Sequence, residues 1–302
     1  MTEVPAQIRR LASDRDDARA AKDFARADEL RDTIARAGFV VRDTPTGTVL
    51  ELSPRFEPVD PGSITSSFEE PATLEWSVHL LYEGSIDDLV RFVEGLGAHD
   101  DVGRTEIVVV DPASEDGDAI EDAVGARARV LHLTSSGGWA ADRNAGLKTS
   151  SGALVLLADL SIEPTGSILP PLARAFEDPG VAIAGPFGVV TEDMREWREA
   201  RGPDADAVEG YAMAFRRDAL RDGLIDERYR WYRNADLDLS LQLRREGGRA
   251  VVVELPVAKH LHRGWDALDD DERAARSRRN YHVFLERWRD RRDLLLAGRG
   301  GR

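Results

Sequence analysis

The beginning of the chain and the remainder follow different hydrophobic patterns. Between residues 6 and 37, apolar side chains recur at helical spacing, which predicts two helices arranged as a hairpin. Gly38 stands where a glycine often follows a helix end. Residues 39–52 contain two short apolar runs around a Thr-Pro-Thr-Gly turn, which predicts a β-hairpin. We therefore expect residues 1–52 to form a small helical hairpin plus a short β-hairpin.

The pattern changes twice along the remaining chain. Residues 53–75 are rich in Pro, Ser and Glu without periodicity, which predicts a linker. In residues 76–295, short apolar strands alternate with helical segments, and this alternation predicts an α/β fold whose mostly parallel sheet carries helices on both faces. Such sheets bind ligands beyond the carboxyl ends of their strands. Asp111 and Asp159 each follow an apolar strand directly, so we expect both to point into that crevice.

Composition narrows the function classes. The chain has 302 residues, of which 42% are hydrophobic and 32% charged, and it contains no cysteine, which excludes disulfides and thiolate metal sites. A net charge of −15 argues against broad binding to nucleic acid, because that binding requires a positive surface. Apolar runs stay short of the roughly 18 residues that a transmembrane helix needs. The N-terminus lacks the apolar stretch of a signal peptide. We predict a cytoplasmic protein without a transmembrane segment, and peripheral membrane contact stays open.

Two strand ends carry candidate binding residues. Asp111 ends a buried strand and precedes a turn of small residues, where its carboxylate could accept hydrogen bonds from a ribose hydroxyl or a base N–H. The alternative is that Asp111 only caps this turn. The second strand end, at Asp159, follows a helical segment that contains Arg143 and Asn144.

Together these segments resemble the inverting glycosyltransferases of family 2, which have the Rossmann-like GT-A fold. The first half of the match comprises an Asp-x-x-Ser-x-Asp-Gly turn, an Asn-x-Gly helix followed by Ser-Gly, and a strand-end acid: Asp111, Ser114, Asp116, Gly117, Asn144, Gly146, Ser151, Gly152 and Asp159. The second half comprises four segments that follow in the family's order: Glu209–Leu220, Ile225–Tyr232, Asn234–Gly248 and a late His followed by an Arg-Asn-x-x-x-Phe helix. Each element alone is weakly specific, whereas their co-occurrence in order is specific.

The resemblance implies transfer of a sugar from a nucleotide-diphosphate sugar to an acceptor hydroxyl, with inversion, by an enzyme of the hexosyltransferase type. Asp236 aligns with the family's general base, and the alternative role for this residue is a helix N-cap. The implied nucleotide-sugar-binding residues are Asp111, Ser114, Arg143, Asn144 and Asp159. The implied acceptor-binding residues are Gly210, Trp231 and Tyr232. The acceptor class stays open among a saccharide, a lipid-linked saccharide, a peptide and a small molecule.

The resemblance also implies a Mg²⁺ or Mn²⁺ site, and here the chain departs from the family. Of the usual pair of strand-end carboxylates only Asp159 is present, with Ser161 or Glu163 as candidate substitutes and His262 as a second ligand. A hard divalent ion prefers several oxygen ligands, so we expect weak metal affinity until the diphosphate completes the shell. His260 is expected to be an ordinary core or surface histidine.

The N-terminal unit resembles a different family, the extreme C-terminal domain of cysteinyl-tRNA synthetases. The matching positions within residues 15–52 include Ala18, Arg19, Lys22, Asp23, Phe24, Ala27, Asp28, Leu30, Arg31, Asp32, Asp43, Thr44, Pro45, Gly47 and Thr48. Aminoacylation is not expected, because a chain without cysteine lacks the synthetase's zinc ligands. Acidic and basic residues nearly balance in this unit, which favours docking or homodimerisation over a retained tRNA contact.

The sequence therefore leaves three alternative functions open. The first is a glycosyltransferase. The second is a non-catalytic nucleotide-sugar-binding or scaffold protein, which the reduced acidic motif and Ala235 in place of the family's Glu would suit. The third is a tRNA-associated protein that acts through the N-terminal hairpin, which the overall acidity disfavours.

Overall fold

The structure, a computed structural model, describes residues 4–44, 47–53 and 55–299. For residues 298 and 299 it describes the backbone only. It consists of two compact units, Met1–Glu57 and Pro58–Arg302. The predicted turn residues Pro45 and Thr46 lie outside the described residues.

The first unit has the predicted helical hairpin and β-hairpin. Its elements are α1 (Ala6–Ala20), α2 (Phe24–Arg36), β1 (Phe39–Thr44) and β2 (Gly47–Leu52), the two strands being antiparallel. The Asp23 side chain caps α2 by accepting a hydrogen bond from the Arg26 N–H at 3.1 Å. Gly38, with φ of +82°, carries the chain from α2 into β1, a conformation that glycine adopts without strain. Apolar residues from both helices and β1 form the core of this unit: Ile8, Ala12, Ile34, Phe39 and Val41.

The second unit alternates strands and helices as the hydrophobic pattern predicts. Its helices are α3 (Ile86–His99), α4 (Gly117–Val124), α5 (Trp139–Leu147), α6 (Leu169–Ala175), α7 (Ala235–Arg244), α8 (Arg263–Asp266), α9 (Asp270–Trp288) and α10 (Leu296–Arg299). Its strands are β3 (Leu74–Leu81), β4 (Thr105–Asp111), β5 (Arg129–His132), β6 (Gly152–Ala158), β7 (Ile162–Pro164), β8 (Val181–Gly185), β9 (Gly188–Thr191), β10 (Trp197–Glu199), β11 (Asp204–Ala205), β12 (Ala207–Val208), β13 (Ala212–Arg216), β14 (Arg249–Val252) and β15 (Val257–Lys259).

Eight of these strands form the central sheet, in the order β11-β14-β8-β13-β6-β3-β4-β5. β3, β4, β5 and β6 are parallel, as are β8 and β14, whereas β13 runs antiparallel between β6 and β8. The sheet is therefore mostly parallel, as predicted. Because β13 is reversed, its beginning lies beside the carboxyl end of β6, and the Asp159 N–H donates to the Tyr211 carbonyl at 3.0 Å. This pairing brings the segment before β13 to the edge where ligands bind.

Helices cover both faces of this sheet. On one face, α3, α4 and α6 pack against the strands through buried side chains such as Phe92, Ile120 and Leu172. On the other face, α5 and α7 contribute side chains such as Leu147 and Leu239. Removing these apolar side chains from water supplies the main driving force for the layered arrangement.

The predicted linker is shorter than its composition indicates. From Pro58 onward the chain belongs to the second unit: the Ser67 N–H donates to the Lys148 carbonyl at 2.8 Å, and Phe68 is buried in the core. β3 also begins at Leu74, within the stretch predicted as linker. The segment shows no periodicity because backbone hydrogen bonds and a single aromatic side chain attach it, and neither leaves a repeating pattern.

Among the helices in the described part of the chain, every one is too short or too polar to cross a lipid bilayer.

Candidate active site

A cavity of about 280 Å³ opens at the carboxyl edge of the sheet, next to the end of β6. Its lining comes from segments far apart in the chain: Trp139, Asp159, Ser161, Glu209, Gly210, Tyr211, Tyr232, Arg233, Asp236, Lys259, His260 and His262. A larger cavity of about 770 Å³ lies at the opposite edge, beside Trp76 and Thr105 where β3 and β4 begin. The smaller cavity is the candidate active site because it gathers the carboxylates and histidines that sequence and topology bring to the ligand-binding edge.

Asp159 follows β6 directly and lies at the floor of this cavity, 5% exposed. Its Oδ1 accepts a hydrogen bond from the Ser161 N–H at 2.7 Å, and its Oδ2 lies 3.2 Å from His262 Nε2. Burial works to raise the pKa of Asp159, but the hydrogen bond and charge of His262, together with the charge of Arg143, bring it below its ordinary value. Asp159 is therefore held as a carboxylate, and its predicted neighbour His262 lies next to it.

Glu83, for which the sequence analysis made no prediction, lies beside these two residues. It comes two residues after β3, and its carboxylate, the Asp159 carboxylate and a ring nitrogen of His262 lie within 4.8 Å of one another. Burial, followed by the charge of Asp159, raises the pKa of Glu83. Among the described residues, His262 Nδ1 has no hydrogen-bond partner although it is buried. One signal could have pointed to Glu83: an acid just beyond the end of a buried parallel strand, as at Asp159.

Neither residue proposed to replace the missing strand-end carboxylate does so directly. Glu163 is hydrogen-bonded to His260 Nε2 at 2.7 Å and lies outside the Glu83–Asp159–His262 group. Ser161 contacts Asp159 through its backbone N–H. His260, expected to be an ordinary histidine, is exposed and lines the cavity.

Asp236 lies on a different wall of the cavity, in the first turn of α7. Its carboxylate accepts hydrogen bonds from the Gly210 N–H at 3.1 Å and from the Leu237 N–H at 2.9 Å. A Cβ on residue 210 would lie 3.1 Å from Asp236 Cβ, so glycine allows this close approach. Burial, followed by the charge of Glu209, raises the pKa of Asp236 to about 6. The N-cap position is Asn234, one residue before the helix, and Asp236, in the first turn, lines the cavity.

The predicted aromatic pair forms one side of the site. Tyr232 stacks on His262 with ring centroids 4.3 Å apart and lines the cavity. Trp231 is 7% exposed, and its indole N–H donates to the Gly264 carbonyl at 2.9 Å. The Asn280 amide of α9 donates to the Trp231 carbonyl at 2.7 Å and fixes this segment. Gly210 and Tyr232 therefore face the cavity, whereas Trp231 packs behind it.

The predicted nucleotide-binding acid at the end of β4 lies in a separate network. Asp111 is 1% exposed, accepts a hydrogen bond from the Ser114 N–H at 2.9 Å, and lies 2.8 Å from His132 Nδ1. The turn-capping alternative thus accounts for one of its two oxygens. Asp111 and Ser114 do not line the cavity, and their contact with nucleotide stays a prediction.

Arg143 and Asn144 are both buried and have structural contacts. Arg143 donates to the carbonyls of His79 and Ala158 at 3.1 and 2.9 Å, which ties together the ends of β3 and β6. The Asn144 amide donates to the Ile225 carbonyl at 2.8 Å and accepts from its N–H at 3.1 Å. Neither side chain lines the cavity, and a contact with nucleotide stays a prediction for both.

Four further lining residues were not predicted as site residues from the sequence: Glu209, Tyr211, Arg233 and Lys259. Lys259 Nζ lies 3.9 Å from the centroid of the Tyr211 ring and 4.0 Å from the Glu209 carboxylate. The reversed strand β13 brings Glu209 and Tyr211 here, and β15 brings Lys259. The spacing of these residues in the sequence does not predict that they come together, because their contact depends on strand order alone.

Comparison with known proteins finds matches to two family models. The model of glycosyl transferase family 2 matches residues 82–234, just over half of the chain. The model of the cysteinyl-tRNA ligase anticodon binding domain matches residues 1–48. Cysteine–tRNA ligases of Nitratidesulfovibrio vulgaris and Cereibacter sphaeroides are 54% and 45% identical to the chain over 48 and 51 residues. These matches span 16% and 17% of the chain and 10% of each ligase, so the likeness is confined to the first unit.

Solved structures share the fold of the second unit. A structure of GalNAc-T7 with UDP, GalNAc and Mn²⁺ matches with a TM-score of 0.60 and 16% identity, covering 73% of this chain and 50% of that one. A mannosyltransferase from Pyrobaculum calidifontis with GDP-Man and Mn²⁺ matches at 0.51 and 19%, covering 72% and 68%. TarS of S. aureus in complex with UDP matches at 0.52 and 17%, covering 74% and 70%. Identities this low show the fold alone, and the fold agrees with the family match. The chain belongs to glycosyl transferase family 2.

Proposed function

We propose that this protein transfers a sugar from a nucleotide-diphosphate donor to an acceptor hydroxyl, with inversion at the anomeric carbon. One observation carries the proposal: a single cavity is lined both by Asp159 beside His262 and by Asp236, whose raised pKa suits a proton acceptor. The first pair would act on the donor and Asp236 on the acceptor. The nucleotide diphosphates and nucleotide sugar bound by the structural neighbours support this class of donor.

Asp236 is the proposed general base. As the acceptor oxygen bonds to the anomeric carbon, its proton passes to the Asp236 carboxylate. The bond from the anomeric carbon to the diphosphate breaks on the opposite face, and its electron pair leaves with the nucleoside diphosphate. The N–H groups of Gly210 and Leu237 orient the carboxylate by hydrogen bonds. A base with a pKa of about 6 is ionised at neutral pH and still accepts a proton readily.

The departing diphosphate needs positive charge, and the chain supplies it in two ways. Arg233 and Lys259 line the cavity and lie within reach of an anionic ligand. Asp159 and His262 would hold Mg²⁺ or Mn²⁺, which when bound neutralises charge on the diphosphate. The residues fit such an ion, since the carboxylate and the imidazole lie side by side and His262 Nδ1 has no partner among the described residues. Two of the structural neighbours contain Mn²⁺.

A screen of nucleotide sugars with and without Mn²⁺ tests the proposal directly. A donor that binds the folded protein raises the apparent melting temperature by mass action, so the donor and its base are identified first. The selected donor is then incubated with candidate saccharide, lipid-linked and peptide acceptors, and NMR of the product reports the anomeric configuration. Retention of configuration would contradict direct displacement. Donor binding without transfer or hydrolysis would favour the scaffold function instead.

A further inference from the structure

The strand-end motif at Asp159 lacks its second carboxylate, yet the structure contains another carboxylate beside it. Glu83 lies just beyond the carboxyl end of β3, which is the strand next to β6 in the sheet and runs parallel to it. The acid therefore reaches Asp159 through strand pairing and not through the local sequence. The N–H of Ser161, where the missing carboxylate would stand, only orients Asp159.

We propose that Glu83 is the third protein ligand of a divalent metal ion, together with Asp159 and His262. The inference deepens the proposed function and rests on it, since the metal is the one that would accompany the nucleotide diphosphate. The ligand atoms of the three residues lie within 4.8 Å of one another, a separation that a single ion can bridge after small side-chain adjustments. His262 has one ring nitrogen beside Asp159 and the other without a hydrogen-bond partner among the described residues, so the imidazole can present a nitrogen to the ion.

The backbone around the group leaves room for the Glu83 carboxylate. Gly84, with φ of +83°, turns the chain immediately after Glu83. A Cβ on Gly264 would lie 3.2 Å from Glu83 Oε1 and 3.6 Å from His262 Nδ1, so the absence of a side chain at residue 264 lets carboxylate and imidazole meet. Gly84 and Gly264 thus both allow the Glu83 carboxylate to occupy its position beside His262.

The charges of the group also suit a cation. Two carboxylates lie close together in a partly buried place, and Arg143 is the buried cation whose charge reaches both of them. Arg143 is committed to backbone carbonyls and does not form an ion pair with either carboxylate in the described structure. A divalent ion would offset the remaining repulsion between Glu83 and Asp159.

The donor set has a consequence for metal choice. Two carboxylates and one imidazole suit Mn²⁺ better than Mg²⁺, which prefers oxygen ligands and keeps most of its waters. We therefore expect Mn²⁺ to bind the full chain without nucleotide, whereas a two-ligand site would bind it weakly. With a third protein ligand, the expected Mn²⁺ affinity of the nucleotide-free protein is higher than the weak affinity predicted from the sequence alone.

The experiment measures Mn²⁺ binding to the full chain by calorimetry and by EPR of the free ion, first without nucleotide and then with UDP or GDP. Glu83→Gln should weaken Mn²⁺ binding by about tenfold or more, since even the partners that support metal ligands change affinity about 10–100-fold. Glu163→Gln, a matched change of the nearby acid that pairs with His260, should leave Mn²⁺ affinity unchanged. A thermal melt of each variant establishes that it is folded.

Glu83→Asp provides a second variant, because it keeps the charge and withdraws the carboxylate by one methylene. It should fold and bind Mn²⁺ more weakly than the unaltered chain. Equal Mn²⁺ affinity of Glu83→Gln and the unaltered chain under all conditions would overturn the inference, as would a failure of the unaltered chain to bind Mn²⁺ at all. Mn²⁺ binding through Glu83 in a protein that transfers no sugar would instead contradict the proposed function and leave the metal site standing.

Discussion

The first turn of α7 presents two aspartates to two different regions of the molecule. Asp236 lines the cavity, where its carboxylate is held by two backbone N–H groups. Asp238 lies two positions later, is 1% exposed and points toward α9. The two regions thus receive the same type of residue from the same helix.

Their partners differ in kind. Asp238 accepts hydrogen bonds from the Tyr229 hydroxyl at 3.1 Å, the Trp288 indole at 2.7 Å and the Arg287 guanidinium at 2.6 Å. These three donors join α7 to α9 and to the segment before α7. Within the described residues, no side chain donates a hydrogen bond to Asp236, and its carboxylate lines the cavity. A saturated, charge-paired carboxylate stabilises the fold, whereas one held only by backbone N–H groups and facing a cavity can exchange a proton with a substrate.

The largest expected effect is on the cavity side. Asp236→Asn keeps the size of the side chain but removes its ability to accept a proton, so the rate of sugar transfer should fall about 10²–10⁴-fold. Donor affinity should barely change, because the acceptor and not the donor meets this residue. The measurement is transfer, or slow donor hydrolysis, beside donor binding for both proteins.

The pH profile of the unaltered protein supplies an internal control for this prediction. Because the ionised carboxylate is the base and its pKa is about 6, the rate should rise as pH increases through 6 and level off above about 7. Full activity of Asp236→Asn would contradict the assignment of Asp236 as the general base and would support a purely structural role for this residue.

On the other side of the helix the expected effect is on stability. Asp238→Ala removes the acceptor for three donors and leaves Arg287 without its buried partner, so the free energy of unfolding should fall by about 3 kcal/mol. Denaturant unfolding at pH 7.5 measures it. Donor binding by the protein that remains folded should be unchanged, and a strong loss of donor affinity with little loss of stability would erase the distinction between the two regions.

A smaller effect of opposite sign is expected for the stability of Asp236→Asn. Burial raises the pKa of Asp236 from an unfolded value of 3.8 to about 6, so the folded state disfavours the ionised form. Below pH 3.8 the residue is protonated in both states and costs nothing. Between pH 3.8 and about 6 the unfolded state ionises while the folded state stays protonated, so stability is lost across this window and the loss is complete above pH 6.

The Asn variant avoids this cost. It should be more stable than the unaltered protein by roughly 2 kcal/mol at pH 8, a value reduced for partial exposure to solvent, and the difference should vanish near pH 4. Unfolding measured at several pH values shows the trend. Equal stability of the two proteins at pH 8 would mean that the carboxylate is well solvated and that its pKa is ordinary.

Much of the fold could be predicted from the sequence because it follows from local periodicity. The helical hairpin with Gly38 at its end, and the strands that precede Asp111 and Asp159, each leave a repeating apolar pattern. The segment around Phe68 left none, since one aromatic side chain and a few backbone hydrogen bonds attach it to the second unit. That is why the predicted linker extended too far.

The candidate site was predictable only in part, and Asp111 and Asp159 show the reason. Asp111 ends a buried parallel strand and Asp159 directly follows another, so both lie at the carboxyl edge as the pattern predicts. Asp111 meets His132 at the end of the adjacent strand β5, whereas Asp159 meets Glu83 and His262, which come from distant parts of the chain. The sequence pattern is the same for both acids, so it could not distinguish them.

What the amino-acid sequence determined by itself is therefore the identity of the elements, the edge of the sheet where acids gather, and the family. Each of these depends on local hydrophobic spacing or on the order of short sequence motifs. Only the tertiary structure decided which side chains share the cavity: it set β3 beside β6, reversed β13 so that Gly210 approaches Asp236, and returned the chain after β15 to place His262 against Asp159. Contacts between distant segments depend on strand order and on the packing of whole layers, and these are settled by the free energy of the complete fold and not by any one stretch of sequence.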